Sequence, residues 1–271
     1  MYNRKDLNEI SNIITNAGNI LKKKFDSNLV PNKKKRYSFK SGNEIVIDED
    51  ELSQEYIINR IAKFDSNIKV YSEELDSLKF LKKDNSSMKL LIDPLDGTHN
   101  FFFGIANWAV SIALLDQNNY PIFGVIYLPM HNLLIRNDKI NGKTKFFKNG
   151  NEFKTNCIEP TKSLEVIAYD NQFHKLNYKA MKIYKKLTAE VFTTRISGSA
   201  QYDAALIAMG KIHGRIFNNT TSYDISPCLP IIKGAGGCAS DFNNRPVNAF
   251  SKSVVLSSGK KIHSSLLGLI K

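Results

Sequence analysis

The stretch Asp93-Pro94-Leu95-Asp96-Gly97-Thr98 sets two carboxylates three residues apart and a hydroxyl two residues further on. Pro94 fixes its own φ and Gly97 opens backbone conformations closed to other residues, so the segment reads as one tight turn that forces the carboxylates together. Carboxylates packed that closely resist simultaneous ionisation unless a cation neutralises them. Glu73, at the end of an upstream strand-like run, would add to the repulsion. An oxygen donor set with no nearby His or Cys pair suits a hard cation, Mg2+ first and Mn2+ or Ca2+ next, ahead of zinc. Taken alone, the six residues also fit an exposed acidic turn.

Apolar spacing indicates the elements that must hold these groups. Leu7, Ile10, Ile13, Ile14, Ala17, Ile20 and Leu21 form the stripe of an amphipathic helix over residues 6–25, and a second helix is expected over 49–64. Ile68–Ser72 alternates like a short strand that ends at Glu73 and Glu74, and Met88–Ile92 ends in the same way at Asp93. Strand-like runs at 108–115, 120–128 and 133–136, separated by turn-forming groups, predict an antiparallel meander. From residue 164 onward strands and helices alternate, which predicts an α/β half with a helix starting near Asp224 and a closing helix from Ile262. The whole is read as one catalytic domain, 1–271. An N-terminal α+β half (1–150) holds most of the acidic residues and a C-terminal α/β half (151–271) supplies Asp224; the loop 137–156 is the expected boundary.

Bulk properties narrow the partners. With 271 residues, 42% hydrophobic and 24% charged, the chain can bury a substantial core. Its apolar runs fall well short of the ~20 residues of a membrane-spanning helix, and its N-terminus shows no secretory h-region, so a cytoplasmic protein is expected. Three cysteines, Cys157, Cys228 and Cys238, form no CxxC pair and suggest free thiols. The net charge of +12 would attract anions. Its densest run, Lys33-Lys34-Lys35-Arg36, lacks interleaved aromatics and reads as a solvated loop rather than a nucleic-acid patch.

Asp-Pro-Leu-Asp-Gly-Thr followed by Asn100-Phe101, the upstream Ser72-Glu73-Glu74, the segment Arg195-Ile196-Ser197-Gly198-Ser199-Ala200, and Tyr223-Asp224 leading to Gly234-Ala235-Gly236-Gly237 occur in one order. Together they resemble the inositol monophosphatase family, which includes inositol phosphatases and bisphosphate nucleotidases. The resemblance spans about Asp50 to Gly237. It implies a layered α-β-α-β-α sandwich of the sugar phosphatase type, a homodimer, two or three Mg2+ ions (or Mn2+) per site, and sensitivity to lithium.

The resemblance further implies that Glu73, Asp93 and the Leu95 carbonyl hold a first metal, and that Asp93, Asp96 and Asp224 hold a second. Glu73 and Thr98 would orient and help deprotonate a metal-activated water, with Asp50 supporting Thr98. Asp48 and Glu49 compete with Asp50 for that position; spacing to Glu73 favours Asp50, and a helix-capping acidic cluster is the alternative. Asp96, the backbone N–H groups of Gly97 and Thr98, and Ser199, Ala200, Phe217 and Asn218 are the expected substrate contacts. Two departures stand out. Tyr223 replaces the family's usual Trp, and Phe217 occupies the position where inositol phosphatases carry a glutamate that contacts a ring hydroxyl.

The implied activity is Mg2+-dependent hydrolysis of a small phosphate monoester, of the inositol 1-phosphate type. A 3′(2′),5′-bisphosphate nucleotidase acting on 3′-phosphoadenosine 5′-phosphate is the alternative. A non-catalytic member binding anions or nucleic acid is a further one. The two residues between Asp93 and Asp96 depart from the phosphoaspartyl arrangement, so direct attack by water is expected. Pro227 is tolerable in the first turn of the helix near Asp224, whereas Pro230 is expected to cost it a hydrogen bond.

Overall fold

A computed structural model describes residues 2–28, 37–39, 45–75, 78–161, 163–169 and 178–271. The basic run 33–36 lies outside the described residues. Helix α1 (Arg4–Asn28), a short hairpin of β1 (Tyr37–Phe39) and β2 (Ile45–Ile47), and helix α2 (Asp48–Phe64) open the chain. A seven-stranded sheet follows in sequence order: β3 (Lys69–Ser72), β4 (Met88–Asp96), β5 (Ala109–Asp116), β6 (Pro121–Leu128), β7 (Leu133–Asn137), β8 (Thr144–Lys148) and β9 (Asn151–Phe153). Helices α3 (Leu78–Leu81) and α4 (Thr98–Phe103) interrupt it. Only the β3–β4 pairing in this sheet is parallel.

The second sheet is mixed, built from β10 (Val166–Tyr169), β11 (Thr193–Arg195), β12 (Gly214–Asn218), β13 (Cys238–Asp241) and β14 (Ser253–Ser257) in the order β11-β10-β12-β14-β13. With it come α5 (Tyr178–Glu190), α6 (Ala200–Ala208), α7 (Ser222–Ile225), α8 (Cys228–Gly234) and α9 (Lys260–Ile270).

Burial sorts these elements into five layers. Strand side chains alternate between faces. Leu90, Ile92, Val110, Ile112, Phe123 and Val125 turn one face of the large sheet to α1 and α2. Ile126, Leu128, Ile135 and Phe146 turn the other face to α6 and α8, which also meet Ala168, Phe217, Val254 and Leu256 of the small sheet. The far face of the small sheet packs Ile167, Ile216 and Val255 on α5 and α9. This is the expected α-β-α-β-α order. A helix covered on both sides should be apolar nearly all round, and α6 is, with Ala200, Ala204, Ala205, Ile207 and Ala208 buried.

Three local expectations need correction. The segment 137–156 is not a loop: β8 and β9 extend the meander, because Thr144, Phe146 and Phe153 can place their side chains against α8 and the core. The helix near Asp224 is broken into α7 and α8, with Pro227 as the N-cap of α8. Pro230 therefore falls in the first turn of α8, where the backbone N–H has no intrahelical partner to lose. The Asp-Pro-Leu-Asp segment is also not a tight turn. It continues β4 through a bulge, where Asp93 pairs with Ser111 and Asp96 with Ala109.

Candidate metal centre

The bulge decides where the carboxylates point. On a regular strand, residues three apart face opposite sides of the sheet. Pro94 and Leu95 stand opposite the single residue Val110, and this extra residue returns Asp96 to the face of Asp93. A bulge is also where a strand tolerates proline, since the ladder is already interrupted. The parallel register Ser72↔Ile92 then sets Glu73 beside Asp93, one step past each partner.

Asp224 arrives from the other half on α7. Its own backbone fixes it: Thr221 Oγ1 accepts from the Asp224 N–H at 3.2 Å, while Asp224 Oδ2 accepts from the Thr221 N–H at 3.0 Å. This reciprocal cap anchors the helix start. The Thr220 and Thr221 hydroxyls also donate to Oδ2, at 3.0 and 2.9 Å. Tyr223 Oη donates to the Ser72 carbonyl at 2.9 Å, tying α7 to the end of β3. Asp93, Asp96 and Asp224 thereby offer carboxylate oxygens that all lie within 4.8 Å of one another. Glu73 stands outside that trio, though its charge bears on Asp93.

Asp93 and Asp96 are 2% and 6% exposed, and no Lys or Arg nitrogen lies within 4.0 Å of the trio among the described residues. Burial, then the charges of Glu73, Asp96 and Asp224, push the Asp93 carboxyl well above its usual range. Asp96 is pushed up to about 6, by burial first and Asp224 second, against hydrogen bonds from Ser199, Gln201 and Ala200 that favour its charged form. Such a set is short of positive charge, and its oxygen donors match a hard divalent cation. The residues fit a metal ion.

Around the trio, α2 and α4 build a second group. Asp50 is 1% exposed and accepts from the Thr98 hydroxyl through Oδ1 at 3.1 Å and from the Ile47 N–H through Oδ2 at 2.8 Å. Asp50 thus holds the Thr98 hydroxyl on one oxygen and caps α2 with the other, whereas Asp48 is exposed. Thr98 Oγ1 also lies 3.1 Å from the Leu95 carbonyl. Ser53 donates to the Pro94 carbonyl at 2.8 Å, so α2 braces the bulge as well. Gly97, at φ +90°, starts α4 in a conformation costly for other residues, and a Cβ there would meet Asn107 O at 3.0 Å and Ser199 Cβ at 3.2 Å. Asn100 locks this approach by donating to Asn107 O at 2.6 Å and to Ser197 O at 2.8 Å.

The expected substrate contacts are placed differently. Ser199 and Ala200 are 1% and 3% exposed, and their polar atoms serve Asp96: Ser199 Oγ donates to Oδ2 and the Ala200 N–H to Oδ1. They position a carboxylate rather than face an open site. Phe217, 1% exposed, lies in the core between the sheets with the Arg215 guanidinium 4.5 Å from its ring centroid, so its ring presents almost no surface to a substrate. Asn218 is also buried, at the end of β12. Gln201 is a member that sequence reasoning missed. Its N–H donates to Asp96 Oδ2 at 2.8 Å and its Nε2 to Asp93 Oδ2 at 2.6 Å.

Five layers and a largely buried carboxylate trio where the two sheets' elements meet define an α/β protein with a candidate cation centre. The chain belongs to the inositol monophosphatase family, a metal-dependent phosphatase family whose profile matches residues 4–271. Among its relatives, the fructose-1,6-bisphosphatase/inositol-1-monophosphatase of Thermotoga maritima is 29% identical over 89% of this chain and 87% of that protein. The Nus factor SuhB of Pasteurella multocida is 30% identical over 76% of this chain and 75% of that one. Among solved structures, a Thermotoga maritima IMPase superposes with a TM-score of 0.80 at 26% identity, covering 97% of this chain and 96% of that one. The extragenic suppressor protein suhB of Bartonella henselae superposes with a TM-score of 0.82 at 24% identity, covering 98% of each chain, and supports the fold. Among the described residues, no helix is long and apolar enough to cross a membrane.

Proposed function

We propose that this protein is a Mg2+-dependent phosphomonoesterase that hydrolyses a small phosphate monoester of the inositol 1-phosphate type by direct attack of water. The observation that carries the reading is the trio Asp93, Asp96 and Asp224, converging within 4.8 Å with the first two buried and the third partly so, and without a basic partner among the described residues. These three carboxylates, with Glu73 and the Leu95 carbonyl beside them, would hold the divalent ions, two or three per site. When bound, such ions acidify water and offset the charge of a phosphate group. Mn2+ would substitute, and lithium would inhibit by replacing one ion.

The chain's own groups then set the geometry of attack. With its proton given to Asp50 Oδ1 at 3.1 Å, the Thr98 hydroxyl keeps lone pairs free to accept a hydrogen from the attacking water and aim it. Glu73, neighbouring Asp93 across the parallel pairing, is suited to take the proton that this water releases. The N–H groups of Gly97 and Thr98 would face the phosphate. Buried donors on Asp96 from Ser199, Ala200 and Gln201 keep that carboxylate from turning as substrate enters. Assembly as a homodimer and a cytoplasmic setting belong to the same reading.

A second substrate reading rests on Phe217. Where the resemblance expects a glutamate to meet a polyol hydroxyl, this chain has a buried ring under Arg215, so that contact is lacking at this position and a nucleotide 3′-phosphate is the alternative substrate. Phosphate release by the full-length chain, measured with and without Mg2+ on inositol 1-phosphate and on 3′-phosphoadenosine 5′-phosphate, tests both. The ratio of kcat/KM values ranks the substrates. Asp93→Asn is expected to lower Mg2+-dependent release by at least roughly 10²–10³-fold, the scale of losing one electrostatic stabiliser of a transition state. Undiminished release in that variant would overturn the assignment of the site, and no release by the wild-type chain on either substrate would leave a non-catalytic anion-binding role.

A further inference from the structure

Gln201 is fully buried in the first turn of α6, a helix whose other buried residues are mostly Ala and Ile. A long polar side chain in that setting must be satisfied, or it costs about 1–3 kcal/mol. Half of its amide is satisfied. Nε2 donates to Asp93 Oδ2 at 2.6 Å and lies 3.5 Å from the Tyr223 carbonyl, next to Asp224. The other half, Oε1, is buried with no hydrogen-bond partner among the described residues. Because both heteroatoms share one carbon, this neutral oxygen is held beside the Asp93 carboxylate. Turning the amide over would set an oxygen against Asp93 Oδ2, two acceptors in contact, so an ionised Asp93 fixes the orientation.

On the reading of the trio as a divalent-cation site, we infer that Gln201 is a positioning residue of that site and sets which cation it prefers. Asp93 Oδ2 carries the Gln201 amide hydrogen and Oδ1 carries the Leu95 N–H at 3.2 Å, so the carboxylate is pinned from both sides. The Gln201 N–H pins Asp96 Oδ2 in the same manner. A pinned carboxylate suits a small ion of rigid octahedral preference. It penalises Ca2+, which takes more oxygens and often both from one carboxylate. If a divalent ion is bound, the orphan Oε1 would offer an uncharged acceptor to a water of its hydration shell, which Mg2+ retains more readily than Ca2+ does.

Calorimetric titration of Mg2+ and of Ca2+ into the full-length protein reads this directly, without turnover. Gln201→Met keeps the length of the side chain and removes both polar atoms. It is expected to weaken Mg2+ binding roughly 10–100-fold, as loss of an outer-shell partner does, and to weaken Ca2+ binding less, so that the Mg2+/Ca2+ ratio falls. Gln201→Glu adds a carboxylate at the same place and should tighten both cations while narrowing the ratio. It decides the matter alone if the Met variant does not fold. An unchanged Mg2+/Ca2+ ratio in the folded variants overturns the inference. Asp93→Asn separates the two levels: if it loses cation binding while the Gln201 variants match wild type, the site stands and only the role of Gln201 fails. If Asp93→Asn binds Mg2+ normally, the cation site itself is misassigned.

Discussion

Helix α6 meets buried carboxylates at two places, its own Asp203 and the β4 pair Asp93 and Asp96, and they are treated in opposite ways. Asp203, 1% exposed, forms an ion pair with Arg215 Nη1, and Arg215 also donates to the Ser199 carbonyl at 3.2 Å. Two residues earlier, Gln201 points to Asp93 and Asp96, whose nearest charges are further carboxylates. Burial pushes Asp203 upward, but Arg215 pulls it back. At Asp93, burial and every neighbouring charge push the same way. The fold can therefore supply a guanidinium to a buried acid, and among the described residues it supplies none to the trio. One region spends its charge within the protein and the other keeps it available for a ligand.

Breaking the compensated region should have the largest effect on stability. Arg215→Ala leaves Asp203 buried without its cation and is expected to cost about 3–5 kcal/mol, seen as a lower midpoint in thermal or urea unfolding. The double variant Asp203→Leu/Arg215→Met should recover most of that loss, because an apolar pair of similar volume needs no charge balance. A single variant as stable as wild type would show that the pair is not buried in solution.

In the uncompensated region the sign reverses. Without divalent cation, Asp93→Asn removes one of the mutually repelling charges while keeping an oxygen for Gln201. It should stabilise the protein by about 1 kcal/mol, as changes at a strained functional site commonly do. With saturating Mg2+ the order should invert, since only wild type gains binding energy from the ion. Melting both proteins in chelator and in Mg2+ checks the crossing, and parallel shifts would remove the distinction between the two regions.

Much of this contrast could be read from the sequence, and the unread part has identifiable causes. Apolar spacing located α1, α2 and the first strands closely, because each has one buried face. Asp93 and Asp96 are named from their motif, while Asp224 and the support of Thr98 by Asp50 come from the family resemblance. What periodicity could not show was the bulge at Pro94 and Leu95, because the pairing of β4 with β5 is a long-range fact. Pro94 within an apolar run was its only local sign. The strands β8 and β9 were missed because their alternation is short and lies among Lys and Asn residues. Phe217 and Ser199 are expected as substrate contacts from the resemblance; in the fold Phe217 packs in the core and Ser199 donates to Asp96. Gln201 had a usable signal, a lone amide side chain opening an Ala-rich buried helix.

The finest distinction between the two regions lies in their response to pH. In the metal-free protein Asp96 holds its proton up to about pH 6, whereas in the unfolded chain it releases it near the ordinary aspartate value of 3.8. Between those values the native state binds the extra proton, so this carboxyl's contribution to stability is fully present below 3.8 and is lost as pH rises to about 6. Histidines confuse the absolute curve, because burial lowers His131, His213 and His263 and their contribution is lost in the opposite direction, as pH falls below 6.5. The informative quantity is the difference between wild type and Asp96→Asn, which keeps the oxygen acceptor but cannot titrate. Relative to that variant, metal-free wild type should lose stability from pH 4 to pH 6 and change little above it. Saturating Mg2+ should reverse the slope, since protons then compete with the ion for the same oxygens. Unfolding curves of the two proteins that run parallel across that interval would mean that Asp96 is already compensated, and would place it with Asp203 rather than with the trio.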